Sequence, residues 1–372
     1  MSPSDSPSST HPDRHIALLP GDGIGPEITN ACLPVLTAAF PHWRITAHGI
    51  GWSHWCADGD PVPAETWDAV TAADATLMVA ITSKPAATAE AELAEDLRGT
   101  GLVYRSPILQ LRKSLDLFAN IRPVTLPGGH RITVVRENTE GLYSHDVRGS
   151  DLGGVYDHIA EDPTVRETLK EGSLNDVAVS LRVSTLHGWR RLLRSAAEIA
   201  IREGLDSVTV ADKPNVLQAS GDIVVRAIEQ VSAEHPQVTF ELANIDVVAM
   251  NLVTGPERYG IIAAENVFGD ILSDITAGLG GGLGVVAAAN VGKRGALFEP
   301  VHGSAPDIAG TGTADPTAFL RAAIMCAEHL GAPADLAGAQ LLTDALDRTK
   351  HSFTGSTAFF AETIGESLQQ KG

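Results

Sequence analysis

Residues 15–28 read His15-Ile16-Ala17-Leu18-Leu19-Pro20-Gly21-Asp22-Gly23-Ile24-Gly25-Pro26-Glu27-Ile28. The apolar run His15 to Leu19 has strand length, Pro20 to Gly23 supplies a tight turn, and Pro26 stands where a helix begins. Ile28, Cys32, Leu33, Val35 and Leu36 then give that helix an apolar face. Three glycines in this order suggest a dinucleotide-binding fingerprint. The third is wrongly spaced, however, and no acidic residue ends a second strand about 20 residues on. The segment therefore predicts a strand, a turn and a helix that open an α/β fold, but not a standard Rossmann site.

The same alternation continues along the chain. Ala75 to Ile81, Thr133 to Val135, Ser207 to Ala211 and Gly260 to Ala264 are apolar runs of strand length, and Trp189 to Glu203 and Gly221 to Glu234 are helical. Strands alternating with helices predict a largely parallel sheet. Residues 144–176 are polar and weakly periodic and read as an inserted arm. The glycine run Gly278 to Gly284 follows a helix rather than a strand, which makes it a turn and not a phosphate loop.

A net charge of −19 argues against a nucleic-acid surface, and it requires any anionic substrate to be captured by a local group of arginines. Cys32, Cys56 and Cys326 are scattered and odd in number, which suits a reducing compartment. No apolar run has the length of a membrane span, and residues 1–14, rich in Ser, Pro and Asp, read as a disordered tail rather than a signal peptide. These features predict a cytoplasmic protein with neither a membrane nor a nucleic-acid partner.

Several long motifs, in one order, resemble the isocitrate/isopropylmalate dehydrogenase family. They are Gly21 to Ile28, Leu111-Arg112 to Arg122-Pro123, Arg136-Glu137-Asn138-Thr139-Glu140-Gly141, Asn266 to Asp274 and Glu299 to Gly310. The resemblance implies two α/β domains with a cleft between them. The large domain would be 15–117 with 257–372, and the small one 118–256, carrying the dimer interface and the arm as a clasp. It also implies metal- and NAD-dependent oxidative decarboxylation of a 3-substituted malate by a homodimer with shared sites.

Arg112, Arg122 and Arg136 match the family's three substrate arginines, and guanidinium forks suit the two carboxylates of a malate. Arg136 follows an apolar run, at the carboxyl end of a predicted strand, where open α/β sheets place ligands. Asp270 and Asp274 stand i, i+4 on a predicted helix and share a face. Oxygen donors without Cys or His suit Mg²⁺ or Mn²⁺. The resemblance adds Asp246, from the opposite subunit, as the third metal carboxylate. It makes Lys213, also from the partner, the base at the C2 hydroxyl, and Tyr143 the proton donor after decarboxylation. Pro214 departs from the small residue usual in that lysine motif.

Glu299, His302, Gly303, Ser304, Ala305 and Asp307 resemble the family's adenosine loop, and Asp315 stands where an asparagine usually meets adenine. A carboxylate at Asp307 accepts ribose hydroxyls and repels a 2′-phosphate, which favours NAD over NADP. Ser106 matches a serine that binds the γ-carboxylate in isocitrate enzymes. Ile108 replaces the asparagine common there, and Ser106-Pro107-Ile108 resembles homoisocitrate dehydrogenases. Isocitrate or homoisocitrate is therefore the expected substrate. The alternatives are 3-isopropylmalate, tartrate, a phosphonomethylmalate, or a non-catalytic tricarboxylate-binding subunit.

Overall fold

A computed structural model describes residues 13–148, 153–168, 177–349 and 353–369. Among these, twelve strands follow in order: β1 (Arg14–Gly21), β2 (Trp43–Ala47), β3 (Ala75–Ala80), β4 (Ala119–Thr125), β5 (Arg131–Glu137), β6 (Gly141–Arg148), β7 (Ala178–Val183), β8 (Ser207–Asp212), β9 (Thr239–Asn244), β10 (Ile261–Ala264), β11 (Ala287–Val291) and β12 (Ala296–Pro300). The described residues form two compact units. Unit one comprises those up to Arg131 and from Thr276 onward, and unit two those from Ile132 to Ile275.

In unit one the strand order is β2-β1-β3-β12-β11-β4. β1 is parallel to β2 and β3, β12 is parallel to β3, and β11 is antiparallel to β12 and β4. Both faces of β1 are covered. Ile16 and Leu18 pack with Ile28, Cys32, Leu36 and Phe319, whereas Ala17 and Leu19 pack with Val62, Met78, Leu111 and Leu297. A strand covered on both faces needs apolar side chains at every position, which is why β1 and β3 read as runs and not alternations. Each large side chain so buried contributes about 2 kcal/mol.

The opening helix spans Gly25–Ala39 and buries Ile28, Cys32, Val35 and Leu36. Leu33 corrects the sequence expectation, being 39% exposed. The buried stripe runs i, i+4, i+7, i+8, and position 33 turns out of it. The glycines ahead of this helix allow close backbone approach. A Cβ on Gly21 would run into the Ala80 carbonyl oxygen, and one on Gly23 into that of Ser304, and both residues have positive φ. Between them the buried Asp22 carboxylate accepts the Trp52 and Thr82 amides at 2.8 and 2.9 Å. Its pKa is raised by burial, against these hydrogen bonds.

Arg14, assigned above to a disordered tail, opens β1 and reaches the fully buried Asp335 at 3.3 Å; residues 1–12 lie outside the described set. Asp335 also accepts Trp43 Nε1 at 2.7 Å and His42 Nε2 at 2.6 Å. Burial pushes its carboxyl up, but the Trp43 and His42 donors outweigh that and hold it below its ordinary range. Its stabilising contribution is thus present above the unfolded pKa of about 3.8–3.9 and is lost as pH falls through the lower folded value. Asp335→Ala is expected to cost about 3 kcal/mol at pH 7, because it strands buried donors. Urea unfolding at pH 7 and pH 3 measures this, and the gap between variant and wild type should narrow in acid.

Unit two holds the parallel order β5-β10-β8-β9, and β6 with β7 as a separate antiparallel pair. Helices Leu186–Arg202 and Gln218–Glu234 pack together, the first burying Trp189, Leu192, Leu193 and Ala196. The segment read as an arm contributes β6 and the helices Gly153–Ile159 and Pro163–Thr168; residues 149–152 and 169–176 lie outside the described set. The domain limits expected from sequence need correction at both ends. β4 belongs to unit one because it pairs with β11, and β10 belongs to unit two because it pairs with β5 and β8. The division falls at 131/132 and inside the helix Asn266–Leu279. No helix among the described residues is long and apolar enough to cross a membrane.

Candidate active site

In unit two the register of β5 and β10 sets Arg136 beside Ala264, so the chain leaving β10 starts its helix next to that arginine. Arg136 Nε and Nη2 donate to Asn266 Oδ1 at 3.1 and 2.8 Å, and Nη1 forms an ion pair with Asp270. Helix and arginine meet so closely that a Cβ on Gly269 would lie 2.7 Å from Arg136 Cβ and Cγ. Tyr143 Oη donates to the other Asp270 oxygen at 3.3 Å, and the Arg136 guanidinium lies 5.9 Å from the Tyr143 ring centroid. The Tyr143 phenol is pushed up, first by partial desolvation and then by the Asp270 carboxylate. Asp274 is one turn further along the helix from Asp270. The structure thus brings Arg136, Tyr143 and Asp270 together.

The motif 136–141 explains how they are held. Glu137 folds back onto the Thr139 amide at 2.7 Å and hydroxyl at 2.6 Å, and Arg191 lies 3.3 Å from its carboxylate. Burial pushes its carboxyl up. Glu140 reaches the N-terminus of the helix Leu186–Arg202, accepting the Thr185 amide and hydroxyl at 2.9 and 2.6 Å. A Cβ on Gly188 would stand 2.5 Å from that carboxylate, so glycine is needed there. Gly141, with φ +89°, then turns the chain past Glu265 and Asn266 towards Tyr143.

Lys213 follows β8 and forms an ion pair with Asp246, in the first turn of the helix Ile245–Thr254. The Lys213 hydrogen bond lowers the Asp246 carboxyl. Among the described residues no three His, Cys, Asp or Glu side chains gather into one metal-binding group. Asp246 therefore does not join Asp270 and Asp274 within one chain.

In unit one Arg112 lies in the last turn of the helix Pro107–Ser114 and is 9% exposed. Its Nη2 donates to Glu299 Oε1 and its Nε to Asn290 Oδ1, both at 3.0 Å. Arg122, on β4, donates through Nε to Asn120 Oδ1 at 2.7 Å. Both arginines line an open cleft with Ile81, Ile108, Glu299 and His302. Ser106 stands just before the same helix without capping it through its side chain, and its hydroxyl accepts from Ser83 Oγ at 3.2 Å.

The expected cofactor loop is also in unit one. Its Ser304 hydroxyl shares a 2.6 Å hydrogen bond with Thr82. Asp307 and Gly303 are exposed, and Gly303 faces open space where a Cβ would stand. Ala305 has a φ of +38°. His302 Nε2 is buried without a hydrogen-bond partner among the described residues, and burial lowers the ring's pKa. Two residues expected to serve the cofactor are used otherwise. Glu299 is taken by Arg112 and Asn290, and Asp315 accepts the Thr317 amide at 2.9 Å where the helix Thr317–Leu330 begins.

Asn120, Asn266 and Asn290 went unnoticed in the sequence. The signal for Asn120 was present, since it stands two residues before Arg122 on one strand and so faces the same side.

Buried arginines thus stand at strand and helix ends in both units of this α/β fold. The sequence profile of the isocitrate/isopropylmalate dehydrogenase family matches residues 15–358, and the chain belongs to that family. A 3-isopropylmalate dehydrogenase from Clavibacter michiganensis is 36% identical over 334 residues, 86% of this chain and 86% of its own. The Legionella pneumophila protein DlpA is 38% identical over 335 residues, 87% of this chain but 52% of its own length, so the chain spans about half of that relative. Among solved structures, an isocitrate dehydrogenase from Methylococcus capsulatus superposes with a TM-score of 0.79 at 31% identity, covering 96% of this chain and 100% of the other.

Proposed function

We propose that the protein catalyses NAD- and divalent-metal-dependent oxidative decarboxylation of a 3-substituted malate, with isocitrate or homoisocitrate preferred. The observation that carries this reading is the Arg136–Asp270–Tyr143 constellation at the carboxyl end of β5, where an anion, a cation and a proton donor are all served within hydrogen-bonding reach. The donor set fits the implied groups. Asp270 and Asp274 offer only oxygen, as a hard cation requires, and the Asp270 side chain is 33% exposed. His302 Nε2 and the exposed Asp307 provide polar atoms for a dinucleotide.

Arg112, Arg122 and Arg136 bind the substrate carboxylates and orient C2 for loss of hydride. Lys213 takes the proton of the C2 hydroxyl as the carbonyl forms. Once the carbon–carbon bond to the leaving carboxylate breaks, Tyr143 returns a proton to C3. Asp270, Asp274 and the partner's Asp246 would hold Mg²⁺ or Mn²⁺, which would supply a positive charge to offset the negative charge of decarboxylation, and NAD would supply the hydride acceptor. The proposed partner is a second copy of the chain. The helix of Asp246 exposes Met250 and Val253 on the same face, 58% and 68% accessible, and such a stripe suits burial against another copy.

A carboxylate arm on C3 is favoured by the adjacent hydroxyls of Ser83 and Ser106. An apolar arm is the second reading, favoured by Ile108 in the cleft and by the relatives named 3-isopropylmalate dehydrogenase. Initial rates with Mg²⁺ on isocitrate, homoisocitrate, 3-isopropylmalate, tartrate and a phosphonomethylmalate, each with NAD and NADP, decide between them. Highest kcat/KM on a carboxylate-armed substrate with NAD supports the proposal. Turnover of 3-isopropylmalate alone supports the second reading, and no turnover of any supports a binding subunit. Asp307→Lys is expected to raise the KM for NAD at least tenfold and to lower that for NADP, since one charged hydrogen bond contributes roughly 1.5–3 kcal/mol. Wild-type preference for NADP would refute this role of Asp307.

A further inference from the structure

We infer that Asn120 and Asn290 form an amide relay that sets the orientation of both cleft arginines, making them positioning residues for substrate capture. This rests on the reading above, in which Arg112 and Arg122 bind the substrate carboxylates. Both asparagines are fully buried on neighbouring strands, β4 and β11, which pair directly at these two positions. Asn120 Nδ2 donates to Asn290 Oδ1 at 2.9 Å. That same oxygen accepts Arg112 Nε at 3.0 Å, while Asn120 Oδ1 accepts Arg122 Nε at 2.7 Å. Asn290 Nδ2 completes the chain by donating to Glu299 Oε1 at 2.7 Å, the carboxylate that also holds Arg112 Nη2.

An amide supplies two N–H donors and an acceptor oxygen on one neutral planar group. Here each acceptor faces an arginine Nε–H, and each donor faces the next member of the chain, so neither amide can flip without losing a partner. Fixing a guanidinium through Nε fixes its plane, and the plane decides whether a carboxylate is met by two parallel N–H groups or by one. Neutrality matters as well. Both asparagines are neutral, so the relay orients the guanidiniums without neutralising them, as an aspartate at either position would do. A shared relay also orders the two arginines together, so that the cleft is arranged before substrate arrives.

Asn120→Leu and Asn290→Leu test this, with Arg112→Gln and Arg122→Gln as companions. KM and kcat are measured on isocitrate, homoisocitrate and 3-isopropylmalate, together with the KM for NAD and the melting temperature. Each asparagine change is expected to raise the KM of whichever substrate turns over by about 10- to 100-fold, with the KM for NAD within about twofold of wild type. In the Asn120→Leu/Arg122→Gln double variant the rise should fall about tenfold short of the product of the two single effects, which a general loss of structure would not produce. Should Asn120→Leu melt early, Asn120→Ser takes its place with the same expectation. A raised KM in Arg122→Gln beside an unchanged KM in folded Asn120 variants overturns the relay alone. An unchanged KM in both Arg112→Gln and Arg122→Gln overturns the relay together with the substrate reading beneath it. Multiplicative effects in the double variant also overturn the relay.

Discussion

Asp270→Asn is expected to lower kcat by about three orders of magnitude at saturating substrate, while the protein stays folded. Asp270 is the residue on which the unit-two cluster converges, because its two oxygens meet Arg136 and Tyr143 separately. In the proposed reaction the same carboxylate holds the cation that stabilises charge during CO₂ loss. Such stabilisation is worth several kcal/mol, which corresponds to roughly a thousandfold in rate. The neutral amide keeps the size of the side chain and can still accept from Arg136, so the fold is preserved. The decisive measurement is kcat across a Mg²⁺ titration with circular dichroism alongside. A loss of less than tenfold, unrecovered by added metal, would remove Asp270 from the reacting centre.

Lys213→Ala should be comparably severe, lowering kcat by about 10²- to 10⁴-fold for loss of a positioned base. Its value lies in what mixing reveals. In one chain Lys213 holds Asp246, next to a helix face that exposes Met250 and Val253. If these two residues serve a partner's site, the inactive Lys213→Ala and Arg112→Ala proteins should restore activity after subunit exchange. One site of the heterodimer then carries both lesions and the other carries none, giving about half the wild-type rate per heterodimer if the sites are independent. Exchange verified by mass spectrometry without recovery would mean that Lys213 acts in its own subunit or that the two sites are obligatorily coupled.

The parts of the fold legible in the sequence were those with strong local signals. β1, β3, β8 and the helix Gly25–Ala39 were readable because two-sided burial and a proline at the helix start leave continuous runs and sharp boundaries. The division between units was not, because the allegiance of β4 and β10 depends on pairing with β11 and with β5 and β8, a non-local matter that no local pattern records. At the site, Arg136 and the Asp270–Asp274 spacing were readable, since a strand end and a helix face fix direction. The roles of Asn290 and Asn266 were not, although the i, i+2 spacing of Asn120 and Arg122 was there to be read. Asparagine is common at turns, and only the folded register reveals what its amide faces. Asp315 also accepts the Thr317 amide at the start of a helix, a backbone role that its position in the sequence did not announce.

Gly269 leaves the helix of Asp270 no clearance above the stem of Arg136, and that contact limits how this enzyme can be altered. A larger residue at 269, or a bulkier one at 136, would force apart two groups proposed above to serve one substrate. Chemistry in unit two is therefore hard to diversify by single steps. Ile108 packs against the core of unit one, whereas Leu109, at the start of the helix Pro107–Ser114, carries no such interlock and is 49% exposed. A directed-evolution library that seeks a new C3 arm should concentrate its diversity there, where a change of shape costs little stability, and should keep 136, 266 and 269 as they are.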